Sequence, residues 1–188
     1  MRKIIISDIH GSYYTMKKLL DEAKFNPEED KLICLGDMCD RGKNTKLVWE
    51  YFYNLQKDYS HHVVLLGNHE DMLYESAFIS SYYKDLWYKV GGDETVYNYE
   101  QYIKKIIGKE NKKLLDISNA KWLKKFLEAM PFMIVSDKSI FVHAGFDTSK
   151  TVEEQEVDYL LWNRDNFWKI IILEKIYFLD ILLVYLEK

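Results

Sequence analysis

The sequence predicts an α/β protein with substantial sheet, and two observations carry that prediction. Short apolar runs of strand length alternate with stretches whose apolar residues recur at helical spacing. Four of the runs also stop at polar loops: Ile4–Ile6 before Ser7-Asp8-Ile9-His10-Gly11, Leu32–Leu35 before Gly36-Asp37-Met38-Cys39-Asp40-Arg41-Gly42, Val63–Leu66 before Gly67-Asn68-His69-Glu70, and Ile140–Val142 before His143-Ala144-Gly145. Strand ends are where ligands sit in open α/β sheets. The Gly36 to Gly42 loop is the centre of the pattern, because it sets Asp37, Asp40 and Arg41 within five residues.

Taken in order, the first strand and its loop lead to Met16, Leu19, Leu20 and Ala23, the i, i+3, i+4, i+7 stripe of a helix that Ser12 is placed to cap and Asn26-Pro27 ends. After the second strand, Val48, Tyr51, Phe52 and Leu55 make another such stripe, and strand, loop and helix return over residues 63–79. Residues 71–113 are rich in tyrosine and lysine. They are expected to form a helical insertion over the sheet edge, its aromatics packing onto the body or lining a substrate face. Leu123, Phe126, Leu127 and Met130 mark one more helix, ended by Pro131, and Phe132–Val135 with Ser139–Val142 read as a hairpin around Asp137-Lys138. His61 and His62 match no motif and are expected on the solvent side.

At 188 residues and 48% hydrophobic, the chain can bury one core, so a single domain over 1–188 is expected. The net charge of −4, with acids and bases interspersed, argues against a nucleic-acid partner, which needs a clustered basic face. Two cysteines, Cys34 and Cys39, make no disulfide framework, and three isoleucines after Arg2-Lys3 are far short of a signal-peptide core. A reducing cytoplasm is the expected compartment.

The loops carry donors suited to a metal. Carboxylate and amide oxygen mixed with imidazole nitrogen suits Mn²⁺, Fe or Zn²⁺ better than Ca²⁺ or Mg²⁺. Asp8 and His10 lie two apart in sequence and, on the extended segment expected there, would point the same way. If Asp37 bridges their ion to another held by Asn68 and His143, the result is a two-metal site with ions roughly 3.5 to 4 Å apart. Each motif alone has a plainer reading as a turn or a buried histidine. Four strand ends carrying such residues together do not.

These blocks resemble the signatures of the calcineurin-like metallophosphoesterases, and within them the phosphoprotein phosphatase branch of bacterial and phage serine/threonine phosphatases and symmetrical diadenosine tetraphosphate hydrolases. Gly91-Gly92-Asp93-Glu94-Thr95 and Leu160-Leu161-Trp162-Asn163-Arg164-Asp165 extend the resemblance over roughly residues 1–168. It implies a metallophosphoesterase-type β-sandwich flanked by helices. It also implies two divalent ions, of which Mn²⁺ is favoured with Fe or Zn possible, one held by Asp8, His10 and Asp37 and the other by Asp37, Asn68 and His143. His69 would be the general acid, kept charged by Asp40, with Arg41 a phosphate clamp. Arg164 would be a second clamp, the alternative being a surface ion pair with Asp165 or a neighbour.

The implied reaction is hydrolysis of phosphate monoesters by metal-activated hydroxide, on a phosphorylated protein or a small phosphate ester. A symmetrical diadenosine tetraphosphate hydrolase is the alternative, because the mixed charges of residues 71–113 do not choose between an open groove and a basic, enclosed one. One departure stands out: the family's second metal takes a further histidine in a late Gly-His-Thr segment, whereas this chain has none after His143. The apolar stretch 169–188 carries three charges between residues 174 and 180, too many for a membrane span. It is read as an atypical, truncated end, a frameshift near Trp168 being favoured over ligand work by Glu153 to Asp158 or a weakly held second metal. A non-catalytic metal or phosphate binder is then a further reading.

Overall fold

The computed structural model describes residues 1–107, 112–136, 139–164, 176–178 and 185–187. In chain order the elements are β1 (Arg2–Ile6), α1 (Tyr13–Glu22), β2 (Asp30–Cys34), α2 (Thr45–Asp58), β3 (Val63–Val64) and α3 (Asn68–Tyr74). Then come α4 (Lys84–Trp87), α5 (Asp93–Ile107), α6 (Lys112–Leu115), α7 (Lys121–Glu128), β4 (Met133–Val135), β5 (Ser139–Val142), α8 (Val157–Trp162), β6 (Ile176–Phe178) and β7 (Tyr185–Glu187). π-Helical turns at Glu75–Ile79 and Tyr88–Gly92 join the helices after β3.

Two sheets result, one ordered β3-β2-β1-β7 and the other β4-β5-β6. β1, β2 and β3 run parallel and β7 closes that sheet antiparallel to β1, while β5 pairs antiparallel with β4 and parallel with β6. Alternation along the strands explains how the sheets are layered, since successive side chains point to opposite faces. Ile5 and Ile33 of the first sheet, with Leu35 and Leu65 just past the ends of β2 and β3, meet Phe141 of the second, forming the core between them. Their neighbours Ile4, Ile6, Leu32, Cys34 and Val64 turn the other way, onto Met16, Leu20, Val48, Trp49, Phe52 and Leu123 of the helices. On the outer face of the second sheet, Ile140 and Val142 pack with Phe146 and Leu160 of α8. The expected sandwich flanked by helices is therefore present, and the strand run that begins at Val63 is shorter than its apolar stretch.

Beyond Val64 the chain leaves the ladder, although Leu65 N–H still donates to the Cys34 carbonyl and Leu66 N–H to that of Pro131. α1, α2, α7 and the β4–β5 pair fall where periodicity puts them, with Asp137-Lys138 outside the described residues. Ser12 holds the cap position of α1, but its side chain makes no capping hydrogen bond. The described parts of 71–113 are helical, tied to the body by buried Lys46 of α2. Its ammonium bonds Glu50 at 2.6 Å and lies 4.1 Å from the Tyr102 ring centre and 4.8 Å from that of Trp122. Of the 169–188 tail only β6 and β7 are described; Asp165 and Trp168 lie outside. No helix among the described residues is long and apolar enough to cross a membrane.

His62 corrects the expectation of a solvent-side residue, being only 2% exposed. Its Nδ1 accepts from the Leu32 N–H at 3.0 Å and its Nε2 lies 3.1 Å from the Pro27 carbonyl, which fixes a neutral tautomer donating to that carbonyl. Beside it, Asp30 receives a fork from Arg2 at 2.8 and 2.5 Å, and that guanidinium holds the carboxyl below its usual range. Burial pushes the His62 pKa down to about 4. As pH falls from about 6.5, the unfolded chain takes the proton first, so stability present at neutral pH is lost down to about 4. The slope is expected to total on the order of 2 kcal/mol. Urea unfolding at stepped pH checks it: His62→Asn should flatten the fall between pH 6.5 and 4.5, and an unchanged slope would remove the residue from that account.

Candidate metal centre

The ends of β1, β2, β3 and β5 deliver the site. Among the described residues, five of the six non-glycine residues with positive φ are in it: Asp8, His10, Asp37, Asp40 and Arg41, between 42° and 69°. Such a conformation is costly for a side-chain-bearing residue and persists only where the surroundings enforce it. Interlocked loops do so here. Gly36 has φ +106°, and a Cβ there would come within 2.6 Å of the Gly67 backbone. A Cβ on Gly67 would in turn lie 2.3 Å from Asp37 Oδ1. The loops after β2 and β3 therefore touch backbone to backbone.

Glu70 fastens them. Fully buried, it accepts four backbone N–H groups, from Asp37 (2.7 Å) and Gly67 (3.2 Å) on one oxygen and from Met38 (2.8 Å) and Cys39 (3.1 Å) on the other. Burial raises its pKa against the pull of those donors. Asp37 Oδ1 meanwhile accepts the His69 N–H at 3.0 Å. The carboxylate that begins one ligand loop is thus oriented by the helix that begins in the next.

Three of the five histidines converge on Asp37. His10 Nε2 lies 3.6 Å from Asp37 Oδ2 and 3.9 Å from Asp8 Oδ1, while His143 Nε2 lies 3.5 Å from Asp37 Oδ1 and 2.8 Å from Asn68 Oδ1. One carboxylate faces both groups of donors. The proposed ligands Asp8, His10, Asp37, Asn68 and His143 are therefore brought together.

The donors have the chemistry of a cation site. His10 Nδ1 bonds the Cys39 carbonyl at 2.7 Å and His143 Nδ1 the Leu35 carbonyl at 2.9 Å, so each must donate there and leave a lone pair on Nε2. His10 Nε2 is buried with no hydrogen-bond partner. His143 Nε2 instead faces the Asn68 amide oxygen, an approach of two acceptors that a cation reconciles. Burial lowers the pKa of both imidazoles, that of His143 to about 4, which keeps them neutral as metal ligands must be.

His69 belongs to the same cluster, its ligand atom lying with those of His10 and Asp37 within 4.8 Å. Both of its nitrogens are engaged, however. Nδ1 is 2.6 Å from Asp40 Oδ2 and Nε2 is 2.9 Å from Arg41 Nη2. Arginine only donates, so Nε2 is the acceptor in that contact, while Nδ1 faces the Asp40 carboxylate. The expected contact between Asp40 and His69 is present, and Arg41 at Nε2 is a neighbour that the sequence does not announce. Arg164 is exposed, with Nη1 3.3 Å from the Asn163 carbonyl, and its charge adds a smaller contribution to the lowering of the His143 pKa that burial causes. Cys34 and Cys39 are free and fully buried, and burial pushes both thiols up.

Sequence reasoning assigned no role to Glu70, Trp87 or Thr95. All three are buried polar or aromatic residues bonded to the site loops. Glu70 and Thr95 lie in motif blocks whose other residues carried the chemistry, and Trp87 lies in none of those blocks.

Known proteins give this geometry a family. Serine/threonine-protein phosphatase 2 of Salmonella typhimurium is 28% identical over 168 residues, which is 86% of this chain and 67% of that protein. The symmetrical bis(5'-nucleosyl)-tetraphosphatase of Wigglesworthia glossinidia brevipalpis is 33% identical over 150 residues, 77% of this chain and 45% of that one. Its counterpart in Buchnera aphidicola subsp. Schizaphis graminum is 42% identical over 65 residues, 35% and 23% respectively. The chain thus spans less than half the length of these two relatives. Among solved structures, a serine/threonine phosphatase from Saccharomyces cerevisiae with similarity to human phosphatase PP5 superposes with a TM-score of 0.56 at 21% identity, over 88% of this chain and 46% of that chain. That likeness is one of fold. The profile of the calcineurin-like phosphoesterases matches residues 1–178, and with it this chain belongs to that family of metal-dependent phosphoesterases.

Proposed function

We propose that the chain hydrolyses phosphate monoesters, most closely in the manner of a serine/threonine phosphoprotein phosphatase, with Asp8, His10, Asp37, Asn68 and His143 holding two divalent ions, Mn²⁺ being the favoured metal. The observation that carries this reading is the Asp37 carboxylate facing His10 and Asp8 on one side and His143 and Asn68 on the other. When bound, divalent ions supply Lewis acidity toward the phosphoryl oxygens and lower the pKa of water toward neutrality.

The chain's own residues supply the rest. Arg41 is exposed at the rim, and its planar fork suits phosphate oxygens. A bound phosphate, the stronger acceptor, would draw Nη2 off His69 and free Nε2 to hold the proton destined for the leaving oxygen. Asp40 would then stabilise the imidazolium. Arg164, with its charge already felt at His143, is the second phosphate clamp in this reading.

A symmetrical dinucleotide tetraphosphatase is the second reading, favoured by the names of several relatives. A substrate panel separates the two. Faster turnover of a phosphoserine peptide than of diadenosine tetraphosphate supports the first, and the reverse order replaces it. His69→Ala is expected to lower kcat on an alkyl phosphate by about 100-fold or more, with much less loss on p-nitrophenyl phosphate, whose leaving group needs no proton. Near-normal turnover of the alkyl ester by that variant would remove His69 as the acid.

A further inference from the structure

Asp40 is held by a frame that the proposed reaction does not yet use. It is fully buried, and its Oδ2 receives the Trp87 indole N–H at 2.9 Å while facing His69 Nδ1 at 2.6 Å. Its Oδ1 receives the Thr95 hydroxyl at 2.7 Å, and the same hydroxyl oxygen accepts the Asp40 N–H at 2.8 Å. Trp87 and Thr95 are themselves 1% and 0% exposed. Indole N–H and threonine O–H are thus committed to the carboxylate that faces His69 Nδ1.

The segment between them is shaped for this contact. Gly91 stands at φ +111°, its carbonyl accepts the Arg41 N–H at 3.2 Å, and a Cβ at Gly91 would lie 2.7 Å from that nitrogen. A Cβ on Gly92 would enter the Trp87 ring at 2.3 Å. Both glycines therefore let the 87–95 segment close on the Asp40-Arg41 loop, whose two residues have φ of 69° and 65°. Two fixed donors restrict the carboxylate to one rotation, the one that aims a lone pair at Nδ1. An aspartate free to turn would orient the imidazole far less often.

We propose that Trp87 and Thr95 are positioning residues that clamp Asp40 so that His69 presents Nε2 to the leaving oxygen, an inference that rests on His69 being the acid. Neither touches the substrate. Their effect should consequently appear only where leaving-group protonation limits the rate.

Steady-state kinetics of Trp87→Phe, Thr95→Val and Thr95→Ser on phosphoserine and p-nitrophenyl phosphate test the clamp. Trp87→Phe and Thr95→Val are expected to lower kcat on the alkyl ester by about 10- to 100-fold at nearly unchanged KM, the worth of one donor to a buried charge. On p-nitrophenyl phosphate the loss should stay within about threefold, and Thr95→Ser, which keeps the hydroxyl, should behave as the parent on both. In a His69→Ala background, Trp87→Phe should add nothing. Equal losses on the two esters, or a further loss in that background, overturn the clamp while leaving His69 as the acid. A His69→Ala variant with no leaving-group dependence overturns both. Proton exchange of the Trp87 indole, identified by its missing signal in Trp87→Phe, gives a reading independent of turnover. It should quicken about tenfold or more in Asp40→Ala, and an unchanged rate overturns the bond on which the clamp depends.

Discussion

Asp37→Asn is expected to abolish metal-dependent phosphate ester hydrolysis, with kcat/KM falling by about 10³-fold or more. The amide keeps the size of the carboxylate and an oxygen to accept the His69 N–H, so the loop that the bond at 3.0 Å secures has no reason to unfold. What is lost is the negative charge facing two imidazoles at 3.5 and 3.6 Å. An amide has one acceptor oxygen where the carboxylate has two, so it can serve only one side. Calorimetric Mn²⁺ titration should accordingly show weakened affinity on both sides of the residue at little change in unfolding midpoint. Full affinity in a folded variant would mean that Asp37 does not bridge.

Glu70→Gln should be as damaging by another route. The four N–H groups that converge on Glu70 require four acceptor positions, and a glutamine offers an NH₂ in place of one oxygen. Whichever way the amide turns, two backbone donors then face a donor in a dry environment. About 3 kcal/mol of stability is expected to be lost, and the Asp37-to-Cys39 loop should shift from its place against the Gly67 turn. Urea unfolding with and without saturating Mn²⁺ measures both parts, since metal binding stabilises only the folded form. A variant within about 0.5 kcal/mol of the parent, with parental metal affinity, would show that the backbone contacts alone hold these loops together.

Much of this architecture is legible in the sequence because its signals are local. Ile4, Ile5 and Ile6 alternate between the helix-facing and sheet-facing cores, and so do Leu32, Ile33 and Cys34, which is what a strand covered on both faces must do. Asp8, His10, Asp37, Asn68 and His143 were readable because each follows such a run within a few residues. What escaped depends on distant partners. His62 is buried by Leu32 and Pro27, 30 and 35 residues away, and nothing near it in sequence announces that. Glu70, Trp87 and Thr95 act on loops 31 to 55 residues distant, through hydrogen bonds whose existence only the fold decides. The contact of Arg41 with His69 Nε2 has the same origin, because it comes from 28 residues back.

The absence of any histidine after His143 makes the second group of donors the sterner test of the account. Asn68, His143 and the shared Asp37 are what the described residues offer there, with Asp8 and His10 completing the other side. The most direct measurement is hydrolysis of p-nitrophenyl phosphate by the 188-residue chain as Mn²⁺ is titrated, with Asp37→Asn in parallel. The account predicts activity that is absent in chelator, rises to saturation with metal and vanishes in the variant. A folded chain that binds Mn²⁺ at these residues and turns over no phosphate ester would contradict it.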